Sequence, residues 1–308
     1  MTLKEANLTA LDQEVLLSLH GPEAISFLQG QTTTDLGKLG DHGFAGGAFC
    51  DPKGRVLCDF LVLKVTPEAA LLRVHESVAS QLEAHLQKFL MFSKATLERD
   101  NRSVYGLCKT QLPASVQADH FSPESTAIPF EDGYLLQRES SFYEYWGQET
   151  GAIKLMAVTQ LSVRATDAMW YLHSIRRGEA RITQATWGKY LPQDLNYDLH
   201  GWVSFNKGCY TGQEVIARLH WRGTPKRRLY GGTVNTTLTT TDNHEAQGHV
   251  CEGKIITNRQ GKTCGSVVNV VRFNNVDHIV FEGTGEAGEA ELLIADSSAR
   301  VTDVRALS

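Results

Sequence analysis

Twelve consecutive residues, Lys207-Gly208-Cys209-Tyr210-Thr211-Gly212-Gln213-Glu214-Val215-Ile216-Ala217-Arg218, place a thiol, a cation and a helix start side by side. Thr211 and Glu214 have capping-box spacing, in which the hydroxyl accepts from a free helix N–H and the carboxylate reaches back. A helix is therefore predicted to begin just after Thr211. Cys209 would lie within reach of that helix's positive end, with Lys207 two residues away. Both neighbours favour thiolate over thiol, and the thiolate is the nucleophile and metal ligand. Small Gly208 and Gly212 leave the backbone uncrowded. The same residues equally describe a buried, inert cysteine in a tight glycine turn, and spacing alone leaves both readings open.

Downstream, Arg222 and Lys226-Arg227-Arg228 fall within seven residues. They are expected to form an exposed basic strip that meets an anionic ligand or RNA phosphate, or is simply solvated. The six cysteines, at 50, 58, 108, 209, 251 and 264, include no C-x-x-C pair, and the eleven histidines no H-x-x-x-H pair. A local metal motif is thus not expected. Free thiols are expected rather than a disulfide framework.

The elements that must hold these residues follow from periodicity. Val15 to Leu19 and Phe60 to Val65 read as strands. Between Ser77 and Phe92, Val78, Leu82, Leu86, Phe89 and Leu90 repeat at helical spacing opposite Gln81, Glu83, Gln87 and Lys88. A second helix is predicted from Asp167, with Leu172 and Ile175 inside, Arg176 and Arg177 in its last turn and Gly178 as its stop. Ser266 to Val271 and His278 to Phe281 read as strands of a small all-β unit, with a glycine-rich turn at Glu282 to Gly285. Pro113 to Pro129 reads as loop-rich, and Thr236 to Thr241 as a short low-complexity tract. The expected domains are 1–105 and 106–228, both α+β, and 229–308, a β-barrel.

At 308 residues, 42% hydrophobic and 21% charged, the chain has an ordinary globular composition. The formal charge of −5 argues against a surface given over wholly to nucleic acid, though not against a local basic patch. Lys4, Glu5, Asp12 and Glu14 leave no signal-like apolar stretch at the start, and a cytoplasmic location is expected.

The K-G-C-Y-T-G-Q-E run, with Leu191-Pro192-Gln193-Asp194-Leu195-Asn196 and Gly201-Trp202-Val203-Ser204-Phe205-Asn206 before it and His220-Trp221-Arg222-Gly223 after it, resembles the signature of the YgfZ-type family. Phe27-Leu28-Gln29-Gly30-Gln31-Thr32-Thr33-Thr34-Asp35 and Asp51-Pro52-Lys53-Gly54-Arg55 resemble two further blocks of that family. Its members are folate-binding, tRNA-modifying relatives of the glycine-cleavage aminomethyltransferases. The resemblance implies an aminomethyltransferase-like α+β fold, with two α+β subdomains and a C-terminal β-barrel in a ring around a folate site. It also implies Cys209 as the catalytic thiol, with Trp170, Arg176, Lys207, Tyr210, Gln213, Glu214 and Asp59 around tetrahydrofolate or a derivative. Trp170, eight residues before Gly178, would offer its ring face to the pterin, or else be an ordinary core tryptophan.

Two departures bear on the chemistry. Arg176 stands where aminomethyltransferases carry a pterin-gripping glutamate, and a guanidinium accepts no hydrogen bond. Cys58-Asp59 stands where they carry paired aspartates. The resemblance therefore implies an accessory protein that supports iron–sulfur enzymes, such as a tRNA methylthiotransferase, with direct tRNA contact as a further expectation. No reaction is assignable to it from sequence. A glycine-cleavage aminomethyltransferase is the alternative, and an interaction module that has lost the folate site is the second rival.

Overall fold

The run Val56-Leu57-Cys58-Asp59-Phe60-Leu61-Val62-Leu63 carries almost no polar side chain, so a strand built from it must be covered on both faces. In the computed structural model it is the buried part of β4 (Val56–Thr66), the second strand of a five-stranded sheet. That sheet runs β3 (Phe44–Cys50), β4, β5 (Ala69–His75), β2 (Glu14–His20), β6 (Thr96–Arg99). The structure describes residues 7–108, 112, 116, 127–139, 142–159, 163–164, 166–235, 250–288, 291–297 and 299–307. Residues 113–115 and 117–126 of the expected loop, the Thr236 to Thr241 tract, Lys4 and Glu5 lie outside the described residues.

A six-stranded sheet follows the order β11 (Val163–Arg164), β1 (Asn7–Ala10), β7 (Ser103–Cys108), β10 (Phe142–Gly147), β9 (Gly133–Glu139), β8 (Ala127–Phe130). Its β1 comes from the start of the chain and pairs antiparallel with β7, Asn7 opposite Cys108. The described helices are α1 (Ala24–Gln31), α2 (Glu76–Leu90), α3 (Glu149–Thr159), α4 (Asp167–Arg176) and α5 (Gln213–Arg222). Helix α2 buries Val78, Ala79, Leu82, Leu86 and Leu90 as its periodicity predicts, but Phe89 faces outward. Helix α4 ends two residues short of Gly178.

The chain divides into two compact units. The first contains Met1–Cys50, Leu57–Trp170 and Trp202–Thr211, and the second Asp51–Val56, Tyr171–Gly201 and Gly212–Ser308. In the first, a buried charge network joins the two sheets. Arg73 of β5 bonds Glu144 of β10 and lies 3.6 Å from Glu14 of β2. Arg138 of β9 also pairs with Glu144, whose other oxygen accepts from the Trp146 indole N–H at 2.8 Å.

In the second unit, β12 (Arg227–Asn235), β15 (Val276–Thr284), β14 (Thr263–Phe273), β13 (Ile255–Asn258), β16 (Leu292–Ile294) and β17 (Arg300–Ala306) close a barrel, with β17 returning to β12. Its core includes Val234, Ile256, Val267, Ile279, Phe281, Leu292 and Val301. The glycine-rich turn begins later than expected, because Glu282, Gly283 and Thr284 still belong to β15. A bulge between Val267 and Asn269 shifts the β14 register. There the Asn269 amide accepts from Arg181 N at 2.7 Å and donates to Arg181 O at 2.9 Å, clamping that segment to the barrel.

Removing one member of a buried ion network strands its partners without water. Arg73→Met is therefore expected to destabilise the first unit by about 3 kcal/mol or more, read as a lower urea midpoint for the transition that unfolds it. An unchanged midpoint would mean that Arg138 alone satisfies Glu144.

Candidate functional site

Helix α1 ends at Gln31, and the last carbonyls of any helix lack intrahelical partners. The Leu28 carbonyl is satisfied locally, by Thr32 N at 3.0 Å and Thr32 Oγ1 at 2.8 Å. The Gln29 carbonyl finds its donor far along the chain. Lys207 Nζ donates to Gln29 O at 2.7 Å, Thr32 O at 2.7 Å and Thr34 O at 2.6 Å. All three N–H groups of the ammonium are thereby used, and a cation at a helix C-terminus also meets the negative end of the dipole.

The segment 202–211 is strapped to the first unit at further points. Thr33 Oγ1 donates to Trp202 O at 2.7 Å, Thr34 Oγ1 to the same carbonyl at 3.3 Å, and Ser204 N to Thr33 O at 2.8 Å. Thr33 N in turn donates to Ala48 O at 3.0 Å, and Ala48 N to Thr33 Oγ1 at 2.9 Å, so β3 holds the threonines. The Trp202 indole covers Gly46 of β3, where any Cβ would collide with the ring. Thr211 Oγ1 donates to Gln31 Oε1 at 3.4 Å, tying the far end of the strap to α1.

Burial pushes the Lys207 ammonium down to about 8, while Asp35 pulls it back up. The Tyr210 ring lies 5.1 Å from Lys207 Nζ. Burial, with Cys50 nearby, raises the Tyr210 phenol. Its hydroxyl is buried and has no hydrogen-bond partner among the described residues. Between these two anchored side chains Cys209 is exposed, as is Gly208. Cys50, Cys58 and Cys264 are buried, Cys108 is intermediate and Cys251 is exposed, and all six cysteines are free.

The capping box does not form. Gly212 at φ 85° is the N-cap of α5, no side chain caps it, and Thr211 spends its hydroxyl on Gln31. A Cβ at Gly212 would stand 2.5 Å from Asp51 O. Glycine is thus required both by the left-handed backbone and by the approach of the 51–55 turn. That turn is built by Asp51, whose Oδ1 accepts from Lys53 N and Arg55 N, each at 2.8 Å. Gln193, buried in the 191–196 block, donates to Ile216 O at 2.9 Å and fixes α5 from its other side.

The remaining implied site residues fall in separate surroundings. Trp170, 2% exposed, stacks on Phe142 at 3.9 Å and 10° and covers Gly106 of the six-stranded sheet. Its indole is a core side chain among the described residues. Asp59 is fully buried in β4. In the second unit, Arg176 is exposed at the end of α4, Glu214 is exposed on α5, and Gln213 is half-buried. The implied folate set therefore fits only in part. Trp170 is enclosed and Lys207 saturated, while the Tyr210 hydroxyl is a polar atom that a ligand would satisfy. Sequence reading missed Thr33, Thr34 and Trp202 as site-forming residues, although the first two lie in the 27–35 block and the third in the 201–206 block.

The basic strip is also corrected. Arg227 pairs with Glu282 at 2.5 and 2.7 Å, and Arg228 forms a two-pronged bridge to Asp198 at 2.7 and 3.0 Å. Both are partly buried, and the Glu282 hydrogen bond holds Arg227 above its usual range. Arg222 and Lys226 alone of the four are exposed. Among the described residues no cluster of metal-ligating side chains is present, and no helix is long and apolar enough to cross a membrane.

These features can be set beside known proteins. A crystal structure of the glycine cleavage system aminomethyltransferase T from Bartonella henselae is similar over 99% of this chain and 85% of that one, with a TM-score of 0.70 and 16% identity. The fold is aminomethyltransferase-like. No family profile matches the chain. The tRNA-modifying protein YgfZ of Pectobacterium atrosepticum is 31% identical over 232 residues, 73% of this chain and 69% of that protein. The protein of the same name from Vibrio atlanticus is 27% identical over 274 residues, 88% of this chain and 82% of that one. The chain belongs to the YgfZ family.

Lys207→Met leaves three carbonyls without their donor, at least two of them buried, and is expected to cost about 3 kcal/mol or more. The folded chain releases the Lys207 proton near 8 and the unfolded chain only near 10.5, so between these values the unfolded state binds more protons and stability rises with pH. Urea unfolding should therefore show the gap between wild type and Lys207→Met widening over that window. A narrowing gap would mean that the carbonyls hold the proton on beyond the ordinary lysine range.

Proposed function

We propose that the chain is a folate-binding accessory protein of tRNA modification whose Cys209 thiol serves iron–sulfur enzymes, including those that methylthiolate tRNA. The single observation that carries this reading is the exposed Cys209 on a strap locked from beneath by Lys207. A thiol meant only to fill space would be turned inward, as Cys50, Cys58 and Cys264 are. Here Lys207 and Tyr210 are buried while Gly208 and Cys209 between them are exposed, so the backbone presents the sulfur to water and to partners. Relatives named for tRNA modification and the aminomethyltransferase-like fold support the tRNA and folate parts of the reading.

Tyr210 is the residue assigned to folate within the strap, through its unsatisfied hydroxyl, while Lys207 acts by positioning. Tetrahydrofolate, when bound, would supply a one-carbon carrier, and no step through it is assigned. A glycine-cleavage activity is disfavoured by Arg176, a solvent-facing cation where those enzymes are expected to hold a carboxylate, and by the single Asp59 at the paired position.

Limiting alkylation at neutral pH followed by peptide mapping is expected to label Cys209 ahead of Cys50, Cys58, Cys108 and Cys264. Cys209→Ser should melt at the wild-type temperature, yet fail to restore tRNA methylthiolation in cells lacking the protein. Full restoration by that variant would remove the thiol from the function. In titration calorimetry, tetrahydrofolate should bind wild type and bind Tyr210→Phe more weakly. Equal affinity would move the folate contact away from Tyr210.

A further inference from the structure

Strand β6 ends the five-stranded sheet, and β2 is its one strand neighbour among the described residues. Leu17 stands opposite Arg99 and Ser18 opposite Glu98, and Asp100 N donates to Leu16 O at 2.9 Å in the same register. Successive residues of an antiparallel strand turn their N–H and C=O groups to opposite sides. Thr96, Glu98 and Asp100 therefore face β2, and Ala95, Leu97 and Arg99 offer their main-chain groups to the open edge. Thr96, Glu98 and Arg99 are exposed. An unpaired edge of this kind is a template for another strand.

The charges along this edge divide into two kinds. Arg99 is engaged within the chain, donating to Glu83 at 2.7 Å, Ser80 at 2.8 Å and Glu76 at 3.1 Å, all on α2. Asp100 is bridged by Arg102 at 2.6 Å. Lys94 and Glu98 are exposed, of opposite sign, and make no ion pair among the described residues. The Lys94 main chain is nonetheless fixed, because its N–H donates to Glu23 Oε2 at 2.9 Å. Just before it, Met91 and Phe92 are 72% and 84% exposed, two large apolar side chains beside an open edge.

We propose that β6 pairs antiparallel with β6 of a second copy of this chain, across a twofold axis at Thr96, joining two five-stranded sheets into one. In that register Ala95 faces Leu97 of the other copy, and both belong to the set whose main-chain groups turn outward, so they exchange hydrogen bonds. Lys94 faces Glu98 of the other copy, and the symmetry repeats the contact, so the two unpaired charges meet twice. A slip of one residue opposes outward to inward main-chain groups. A slip of two keeps the hydrogen bonds but sets Glu98 against Thr96 or Phe92, and both ion pairs are lost. The axis also carries Met91 and Phe92 of each copy toward the Arg99 end of the other's β6. Their burial supplies the apolar part of an interface that a short strand pairing alone lacks.

Sedimentation velocity of the full chain over a wide range of concentration tests this. Wild type should show a monomer–dimer equilibrium that added salt weakens. Glu98→Lys and Lys94→Glu each set like charges opposite one another twice, and each should weaken the dimer by about tenfold or more. The double variant carrying both changes should dimerise nearly as wild type does, because the pairs are remade with their signs exchanged. Both positions are exposed, so far-UV circular dichroism should be unchanged in all three variants. Leu97→Pro removes an outward N–H and no bond to β2, and should leave the chain monomeric. The proposal is overturned if wild type sediments as a monomer throughout, if either single charge variant dimerises as wild type does, or if the double variant is no better than the single ones. A dimer lost in Phe92→Ser but indifferent to the charges would place the contact outside this register and overturn it too. So would a monomer that binds phosphatidylserine vesicles through Phe92, which would give the apolar patch to a membrane surface.

Discussion

A single ammonium group sets the geometry on which the signature segment depends. Lys207 Nζ satisfies three main-chain carbonyls at 2.6 to 2.7 Å, one from the C-terminal turn of α1 and two from the turn that follows. Without it the Gln29 and Thr32 carbonyls would lose their lysine donor and Thr34 O would keep only the long 3.5 Å bond from Thr32 Oγ1, and each such loss of a buried partner costs about 1–3 kcal/mol. The lysine in turn is buried at a cost, which shows as the lowering of its ammonium to about 8. The strap and the 29–34 segment are therefore one structural object, although they lie more than 170 residues apart.

The consequence for chemistry is one of placement. Lys207 and Tyr210 point inward, so Gly208 and Cys209 between them are pushed out. Lys207 does not need to touch a ligand to matter, and with every N–H engaged it has none to offer one. The buried Arg73, Glu144 and Arg138 network joins the sheets of the unit that carries the strap. Desolvation offsets much of the attraction within a buried ionic network, while removing one member leaves its partners charged and buried, so the three side chains are retained together. A rigid platform is what an exposed thiol on a ten-residue strap requires if it is to be presented in one place.

Local pattern was enough for much of this fold. The 3.6-residue repeat marked α2, the charge and stop signals marked α4, and the barrel strands from Ser266 to Phe281 read directly from β-branched runs. The start of α5 was legible but its cap was not. Thr211 and Glu214 have capping-box spacing, yet the positive φ at Gly212 and the closeness of Asp51 decide the turn. What local pattern misses is long-range. Trp170 is closed off by Phe142, 28 positions earlier, and Arg228 is paired with Asp198, 30 positions away. No spacing rule reveals such partners. The resemblance assigned Lys207 and Trp170 to the ligand, and in the structure both side chains are buried, Lys207 on main-chain carbonyls and Trp170 against Phe142.

The central claim is that Lys207 holds the strap that displays Cys209. Hydrogen–deuterium exchange on folded wild type and Lys207→Met tests it most directly, because the Ser204 amide donates to Thr33 O and reports the strap's attachment. Exchange should accelerate across 202–211 and 29–35 in the variant, while the barrel strands from Arg227 to Ala306 keep wild-type protection. Unchanged exchange in both segments would contradict the account and leave the strap held by its threonine and tryptophan contacts alone.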